Sequence, residues 1–494
     1  MSGTSRLLAR RSLFVRPGRT ALFLLGFALA VAVMIALLSV GEAIVGQARD
    51  KDLVGGGDLV LVPQGTDVEV LKLGGVTAMF QAVPHARFLH RQLLHGPRFA
   101  GDVLADAPAW AGRPVYLRAR GRTIQSLASA SVPSLERAVS PSSLSPGWTD
   151  SPGEARFALL EGPALYDEMD HAHRPGVAQA AFWAEWWYFN LLDPASGRYA
   201  YLSYFVAGDP FAGRGTGSLS IQLGAPGRAA TRHAIVVPVD STAVSLDRAE
   251  VTITGPAGRA TVRVVDGVYR LEGRFRDALG GSPVRLDLRI VPRPRAYVPP
   301  VVLTGAEGFI SGYVVPAVLA RATGTIEVGA SRTSFDQALA YHDHNWGTWR
   351  DVAWDWGQVQ SPDADVALVY ASVHAPELER SRHVVFVGAA DGFLGVLRPD
   401  SIAYGGWHEG PLLEGRPVRV PGTIALRAAG EGDTLEVSLR VEDVAASRPP
   451  GDPRAPGGGR VFLQMRGAWQ VRGRVGGRRL EFTAPGAAET FVHP

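Results

Sequence analysis

Cysteine is absent from the 494 residues. That excludes disulfides, thiolate metal ligands, cysteine nucleophiles and lipoprotein-type acylation. An excess of one charge is also missing: 50 Lys and Arg against 47 Asp and Glu leave a net +3. Such a balance gives no electrostatic footprint for a nucleic acid, and no nucleic-acid motif is present. Strand–helix alternation is lacking, so a doubly wound sheet is not expected. There is no phosphate-cradling loop, no Ser-centred nucleophile elbow and no zinc-protease helix motif. No cofactor and no resident metal are therefore expected.

Long apolar runs number one. Residues 21–40 carry no charge and follow Arg6, Arg10, Arg11, Arg16 and Arg19. Twenty residues of helix span about 30 Å, the hydrocarbon thickness. The arginines favour the cytoplasmic side, which sends the rest of the chain outside. The expectation is a single-pass protein of the cytoplasmic membrane with its bulk periplasmic. A cleaved signal peptide closing at Ala43 or Ala48 is the alternative.

Glycine and proline are plentiful, 58 and 35, and suit many turns between short strands. Val284, Leu286, Leu288 and Ile290 alternate with polar residues, as do Leu435, Val437, Leu439 and Val441. A period of two marks strands with one buried face. The fold class expected is all-β: two consecutive antiparallel β-barrels behind a single transmembrane helix. The divisions are 1–48 (basic N-terminus and membrane helix), 49–138 (extracytoplasmic segment), 139–155 (linker), 156–345 (first barrel) and 346–494 (second barrel). Within the extracytoplasmic segment, residues 53–63 read as a short strand and 78–95 as an amphipathic helix. The histidines there, His85, His90 and His95, lack metal-ligand spacing. Residues 446–459 read as a long hairpin loop.

Two clusters carry chemistry. In Glu185-Trp186-Trp187-Tyr188-Phe189, an extended chain puts Glu185, Trp187 and Phe189 on one face and Trp186 and Tyr188 on the other. A glutamate carried among indoles needs a partner or keeps its proton. In Tyr341-His342-Asp343-His344-Asn345-Trp346-Gly347, the two histidines share a side, and Asp343 lies opposite with Tyr341 and Asn345. Trp349, Trp354 and Trp356 follow. Three readings stay open. His342 and His344 could ligate a metal, with Glu185 or His374 as third ligand. They could serve with Asp343 in general acid–base chemistry. Or the heptad could be a polar junction between barrels, with Asp343 and Asn345 capping a turn. The tryptophans supply walls for an apolar ligand. The two clusters are expected to meet inside a barrel pocket.

At these motifs, over roughly residues 160–494, the chain resembles the AttH/CrtC lipocalin-like family, which includes carotenoid 1,2-hydratase (hydroxyneurosporene synthase). The resemblance implies two lipocalin-like barrels. Some members hydrate a carotenoid double bond without a cofactor, fungal members steer polyketide cyclisations, and others have no settled reaction. It implies catalytic roles for His342, Asp343, His344 and Glu185, and a ligand lining of Trp186, Trp187, Tyr188, Tyr341, Asn345, Trp346, Trp349, Trp354 and Trp356. A hydratase needs an acid to protonate the alkene, and Asp343 or a protonated histidine fits that need. Residues 1–140, with Asp58-Leu-Val-Leu-Val-Pro63, also resemble the start of a MacB/FtsX-like ABC-transporter permease without its later membrane helices. The expected function is a membrane-anchored binder of a lipid, isoprenoid or polyketide, associated with an ABC transporter. A carotenoid 1,2-hydratase-like hydro-lyase or cyclase is the alternative, and a transporter scaffold without a ligand is a third.

Overall fold

The computed structural model describes residues 15, 17–49, 61, 83–139, 147–159, 162–363, 365–378, 383–399, 402–430, 432–448 and 460–493. Arg6, Arg10, Arg11 and Arg16 lie outside them, as do the expected strand at 53–63 apart from Leu61, and residues 449–459 of the expected loop. The chain forms two compact units, Met1–Ala82 with Ala105–Ala155, and Val83–Leu104 with Arg156–Pro494.

The first unit holds one long helix, Pro17–Arg49. Its segment Pro17–Val40 is long and apolar enough to cross a membrane, and a signal sequence would satisfy the same description. It also holds a hairpin of β1 (Ala109–Ala119) and β2 (Arg122–Ser131). Arg120 and Gly121 turn it, both with positive φ, as a two-residue primed turn requires.

The second unit is antiparallel β-structure. Its first sheet is built from β3 (Trp183–Leu192), β4 (Tyr199–Asp209), β5 (Arg214–Ala225), β6 (Arg228–Pro238), β7 (Thr242–Val244), β8 (Glu250–Gly255), β9 (Gly258–Val265), β10 (Val268–Arg276), β11 (Pro283–Pro292), β12 (Val298–Thr304), β13 (Ile310–Val328) and β14 (Ser331–Thr348). The pairing order is β6-β5-β4-β3-β14-β13-β11-β10-β9-β8-β7, with β12 on β13. The outer strands β6 and β7 are consecutive in the chain, joined by one 3-10 turn at Val239–Ser241, so the sheet curls into a nearly closed barrel.

The second sheet comprises β15 (Ala353–Gln360), β16 (Val366–His374), β17 (Val384–Ala389), β18 (Gly392–Leu397), β19 (Ile402–Gly405), β22 (Thr423–Gly430), β23 (Asp433–Ser447), β24 (Val461–Val475) and β25 (Arg478–Val492), and it forms a half-barrel. A separate hairpin, β20 (His408–Leu413) with β21 (Arg416–Val420), lies between β19 and β22 in the chain. The all-β architecture expected from the alternating pattern is present: along β11, Val284, Leu286, Leu288 and Ile290 are buried and their neighbours exposed.

The first barrel is packed with side chains. Leu202, Tyr204, Leu219, Ile235, Ile253, Leu271 and Leu288 fill it at zero exposure. The segment around the helix Pro163–Asp170 plugs it, burying Leu165, Tyr166, Met169 and Asp170. Two backbone donors dock this plug: Ala172 N–H to Ser245 O at 2.7 Å, and Ala249 N–H to Asp167 Oδ1 at 2.9 Å. The helix Val83–His95 packs on the barrels' own unit rather than belonging to a separate segment before residue 138. Phe88 meets Tyr297 and Phe393 edge-on, and Gln92 Oε1 accepts from Phe393 N at 2.8 Å.

A third apolar cluster joins the two sheets. It takes Tyr188, Tyr199, Tyr201, Leu339 and Tyr341 from the first, and Trp356, Val369 and Ala487 from the second. Strand β3 and the later half of β14, from Ala338 on, are therefore buried on both faces, which explains the largely aromatic and apolar run of β3.

Candidate functional site

The two clusters singled out in the sequence are neighbouring strands. In the β3–β14 register Glu185 faces Trp346, Trp187 faces His344, Tyr188 faces Asp343 and Phe189 faces His342. Alternation then splits each motif between two environments. Glu185, Trp187, Phe189, His342, His344 and Trp346 point into the barrel. Trp186, Tyr188, Tyr341, Asp343 and Asn345 point into the gap between the sheets.

Inside the barrel every imidazole lies on an aromatic face. His342 stacks on Phe189 at 3.9 Å, His344 on Trp187 at 4.4 Å and His173 on Trp346 at 3.7 Å. Carboxylates hold the ring nitrogens. His342 Nε2 is 2.9 Å from Asp170 Oδ2, and its Nδ1 is 2.9 Å from Tyr188 O. His344 lies between two acids: Nε2 at 2.9 Å from Glu185 Oε1, and Nδ1 at 3.1 Å from Asp170 Oδ1, the latter out of hydrogen-bond alignment. Glu185 Oε1 also takes the His173 backbone N–H and Nδ1, both at 2.9 Å.

Burial works against charge here, and the partners overcome it. Burial would lower the His344 imidazole, yet Asp170 and Glu185 lift it to about 9. Burial would raise the Asp170 carboxyl, yet His342 and His344 hold it down at about 2. Glu185 is likewise lowered against its burial, by hydrogen bonds from His173 and His344. The result is an imidazolium clamped by carboxylates. Among the described residues, His173, Glu185 and His344 could hold a metal ion, their ligand atoms lying within 4.8 Å of one another. The pair His342 and His344, proposed for this from their spacing, divides: His342 turns to Asp170. His374 is elsewhere, bonded to Asp355 at 2.8 Å.

Close packing shapes this face. A Cβ on Gly312 would come within 1.9 Å of the Trp346 indole. Gly347 has φ of 144°, and a Cβ there would meet Ile310 O at 2.2 Å.

The outward face has different partners. Asp343, 3% exposed, accepts from Tyr341 OH at 2.9 Å and Asn345 Nδ2 at 3.0 Å. Tyr341 and Tyr313 share a 2.8 Å hydrogen bond, and the Trp356 Nε1–H lies 3.3 Å from both hydroxyls. Burial pushes the Asp343 carboxyl well above the usual carboxylate range; the Tyr341 hydrogen bond opposes the shift and Glu489 adds to it. Glu489 is half-buried, its carboxyl is raised for the same first reason, and it accepts from Trp354 Nε1 at 2.9 Å and Gln464 Nε2 at 3.0 Å. Toward solvent the gap ends in half-buried indoles: Trp186 lies 4.4 Å from Trp349 and 5.8 Å from Trp354, ring to ring. Chemically, this face can deliver a proton into an aromatic environment.

Sequence reasoning missed Asp170 and His173, which reach the site from the plug, and Tyr313 and Glu489. The one available signal was Glu489 itself, an acid in the apolar run Ala487-Ala488-Glu489-Thr490-Phe491.

No family model matches the chain, and no curated protein sequence matches it. Among solved structures it is similar to CghA with Sch210972, at 14% identity and a TM-score of 0.45, covering 67% of this chain and 97% of that one. It is also similar to an AttH protein from Nitrosomonas europaea, at 16% and 0.41, covering 65% and 97%. Kievitone hydratase from Nectria haematococca stands at 14% and 0.41, covering 68% and 98%. These likenesses are too distant for a function to be read across.

Proposed function

We propose that the chain binds a hydrophobic unsaturated molecule in the gap between its two sheets and adds a proton to it from Asp343, as a cofactor-independent hydro-lyase or cyclase. The observation that supports this is a buried carboxyl, pushed above its ordinary range, set among Tyr188, Tyr313, Tyr341 and Trp356. The ligand is placed between the sheets because that is the face carrying Asp343; like the barrel interior, this region is filled by side chains, which part to admit the molecule. Asp343 gives its proton to one alkene carbon, and the positive charge on the neighbouring carbon is stabilised by the aromatic faces. Water adds to that carbon and returns a proton to the carboxylate, so hydration is complete without oxidant or reductant. In a cyclase, an internal double bond attacks that carbon in place of water, and the new cation loses a proton to the Asp343 carboxylate.

The apolar helix Pro17–Val40 favours a second reading. A membrane-tethered carrier would hold such a molecule unchanged, with an ABC exporter as partner. The test uses full-length protein in detergent, incubated with an acyclic carotenoid in isotopically labelled water. One labelled water gained with the native chain and none with Asp343→Asn supports the enzyme. An unaltered carotenoid bound to both supports the carrier. Hydration undiminished in Asp343→Asn overturns the role of Asp343. A permease co-purifying without any small molecule would favour the scaffold.

A further inference from the structure

Buried polar atoms without hydrogen-bond partners are uncommon, and each asks for an explanation. Among the described residues, three such donors sit along one end of the gap: Asn190 Nδ2, Tyr201 OH and Arg466 Nε. They form one neighbourhood. Asn190 and Tyr201 are register partners on β3 and β4. The Tyr201 ring lies 5.0 Å from that of Tyr199, and the Arg466 guanidinium lies 5.0 Å over Tyr199. Arg466 is 8% exposed. Asp443, opposite Arg466 in the β23–β24 register, accepts from the Tyr199 hydroxyl through Oδ2 at 2.9 Å. A cavity of about 10 Å³, the size of one water, is lined by Asn190, Leu192, Leu339, Gln358, Gln360 and Pro485; a larger group enters only as the side chains around it part.

We infer that this end of the gap recognises an oxyanion, such as a carboxylate, on the same hydrophobic molecule whose double bond Asp343 protonates. The three unmet groups can all donate: a guanidinium N–H, a phenol O–H and an amide NH2. A carboxylate offers about four acceptor positions and is the natural complement of a buried arginine. The one unmet acceptor nearby, Gln360 Oε1, takes a hydroxyl or a water.

The spacing adds a length. Asp343 is opposite Tyr188, and Asn190 follows two residues along β3, about 7 Å on. Tyr201 is one strand further away, about 5 Å. The oxyanion and the reacting double bond are thus separated by on the order of 10 Å, the reach of a medium-length acyl or polyketide chain. This rests on the reading of the gap given above.

The experiment measures energy transfer from tryptophan to cis-parinaric acid, a conjugated polyene acid, and to its methyl ester. Full-length protein in detergent serves, with the emission of probe in detergent alone subtracted, because the probe also partitions into micelles; no tryptophan lies in the apolar helix. The acid should bind at least tenfold tighter than the ester. Arg466→Gln should bring the two within about twofold of each other and leave the ester's affinity unchanged. Tyr201→Phe should weaken the acid about threefold and spare the ester, and it serves if Arg466→Gln does not fold. Equal affinity for acid and ester overturns the oxyanion site and leaves the gap as a ligand site. Equal losses for both probes in Arg466→Gln make the arginine structural and overturn it too. No binding of either probe overturns this inference and the gap reading together.

Discussion

On the inward face of β14, His342 and His344 sit among carboxylates that are ionised. One residue away on the outward face, Asp343 sits equally buried, and burial pushes its carboxyl well above the usual range. Burial opposes charge on both sides. What differs is the partner: Asp170 and Glu185 face imidazoles that can be positive, whereas Asp343 and Glu489 touch phenols, indoles and amides that cannot. A buried acid stays charged only where a cation is built beside it. One strand thereby carries an ion-paired clamp on one side and a carboxyl raised by burial on the other.

The comparison breaks most sharply at Asp343. Asp343→Asn keeps the shape and should lower product formation by about 10²–10⁴-fold while leaving the unfolding midpoint almost unmoved. His344→Ala should do the reverse of this and attack the fold. It leaves two buried carboxylates without their shared cation, a loss of about 3–5 kcal/mol in urea unfolding.

Acidity sharpens the contrast. His344 is raised from 6.5 to about 9 in the folded chain. Its stabilisation, about 3 kcal/mol, is fully present below 6.5 and is lost as pH rises through about 9. Asp170 is depressed from 3.8 to about 2, so its contribution holds above 3.8 and is lost as pH falls through about 2. Melting temperatures from pH 2 to 10 should therefore form a plateau with an alkaline shoulder that His344→Ala removes.

The smallest effect is expected at Glu489, whose carboxyl burial pushes up. Glu489→Gln should change stability by less than about 0.5 kcal/mol, since an amide mimics the protonated carboxyl. Glu185→Gln removes a charge that three N–H groups bond, and should cost about 1.5–3 kcal/mol. Equal costs at the two positions would dissolve the distinction between the faces.

The alternation behind this comparison is legible in the sequence alone. A period of two places His342 with His344 and sets Asp343 apart, and it divides Glu185, Trp187 and Phe189 from Trp186 and Tyr188. Regular strands such as β11 are legible for the same reason. Which face meets the barrel interior is not, because both faces of β3 and β14 are buried and neither is polar enough to mark solvent. The barrel interior, where a pocket is expected from the sequence, is packed: Trp187 and Trp346 stack on His344 and His173. Asp170 reaches His342 across 172 positions of sequence, and a pairing so distant leaves no local signature. The place of Glu489, in the final strand, is hidden likewise.

The central claim is that Asp343 is protonated at neutral pH and that the barrel's interior acids are not. Infrared difference spectra at pH 7 read this directly, through the carbonyl stretch of a protonated carboxylic acid and its shift in heavy water. Part of that band is expected to vanish in Asp343→Asn and to persist in full in Glu185→Gln. A band untouched by Asp343→Asn, or diminished by Glu185→Gln, would contradict the account.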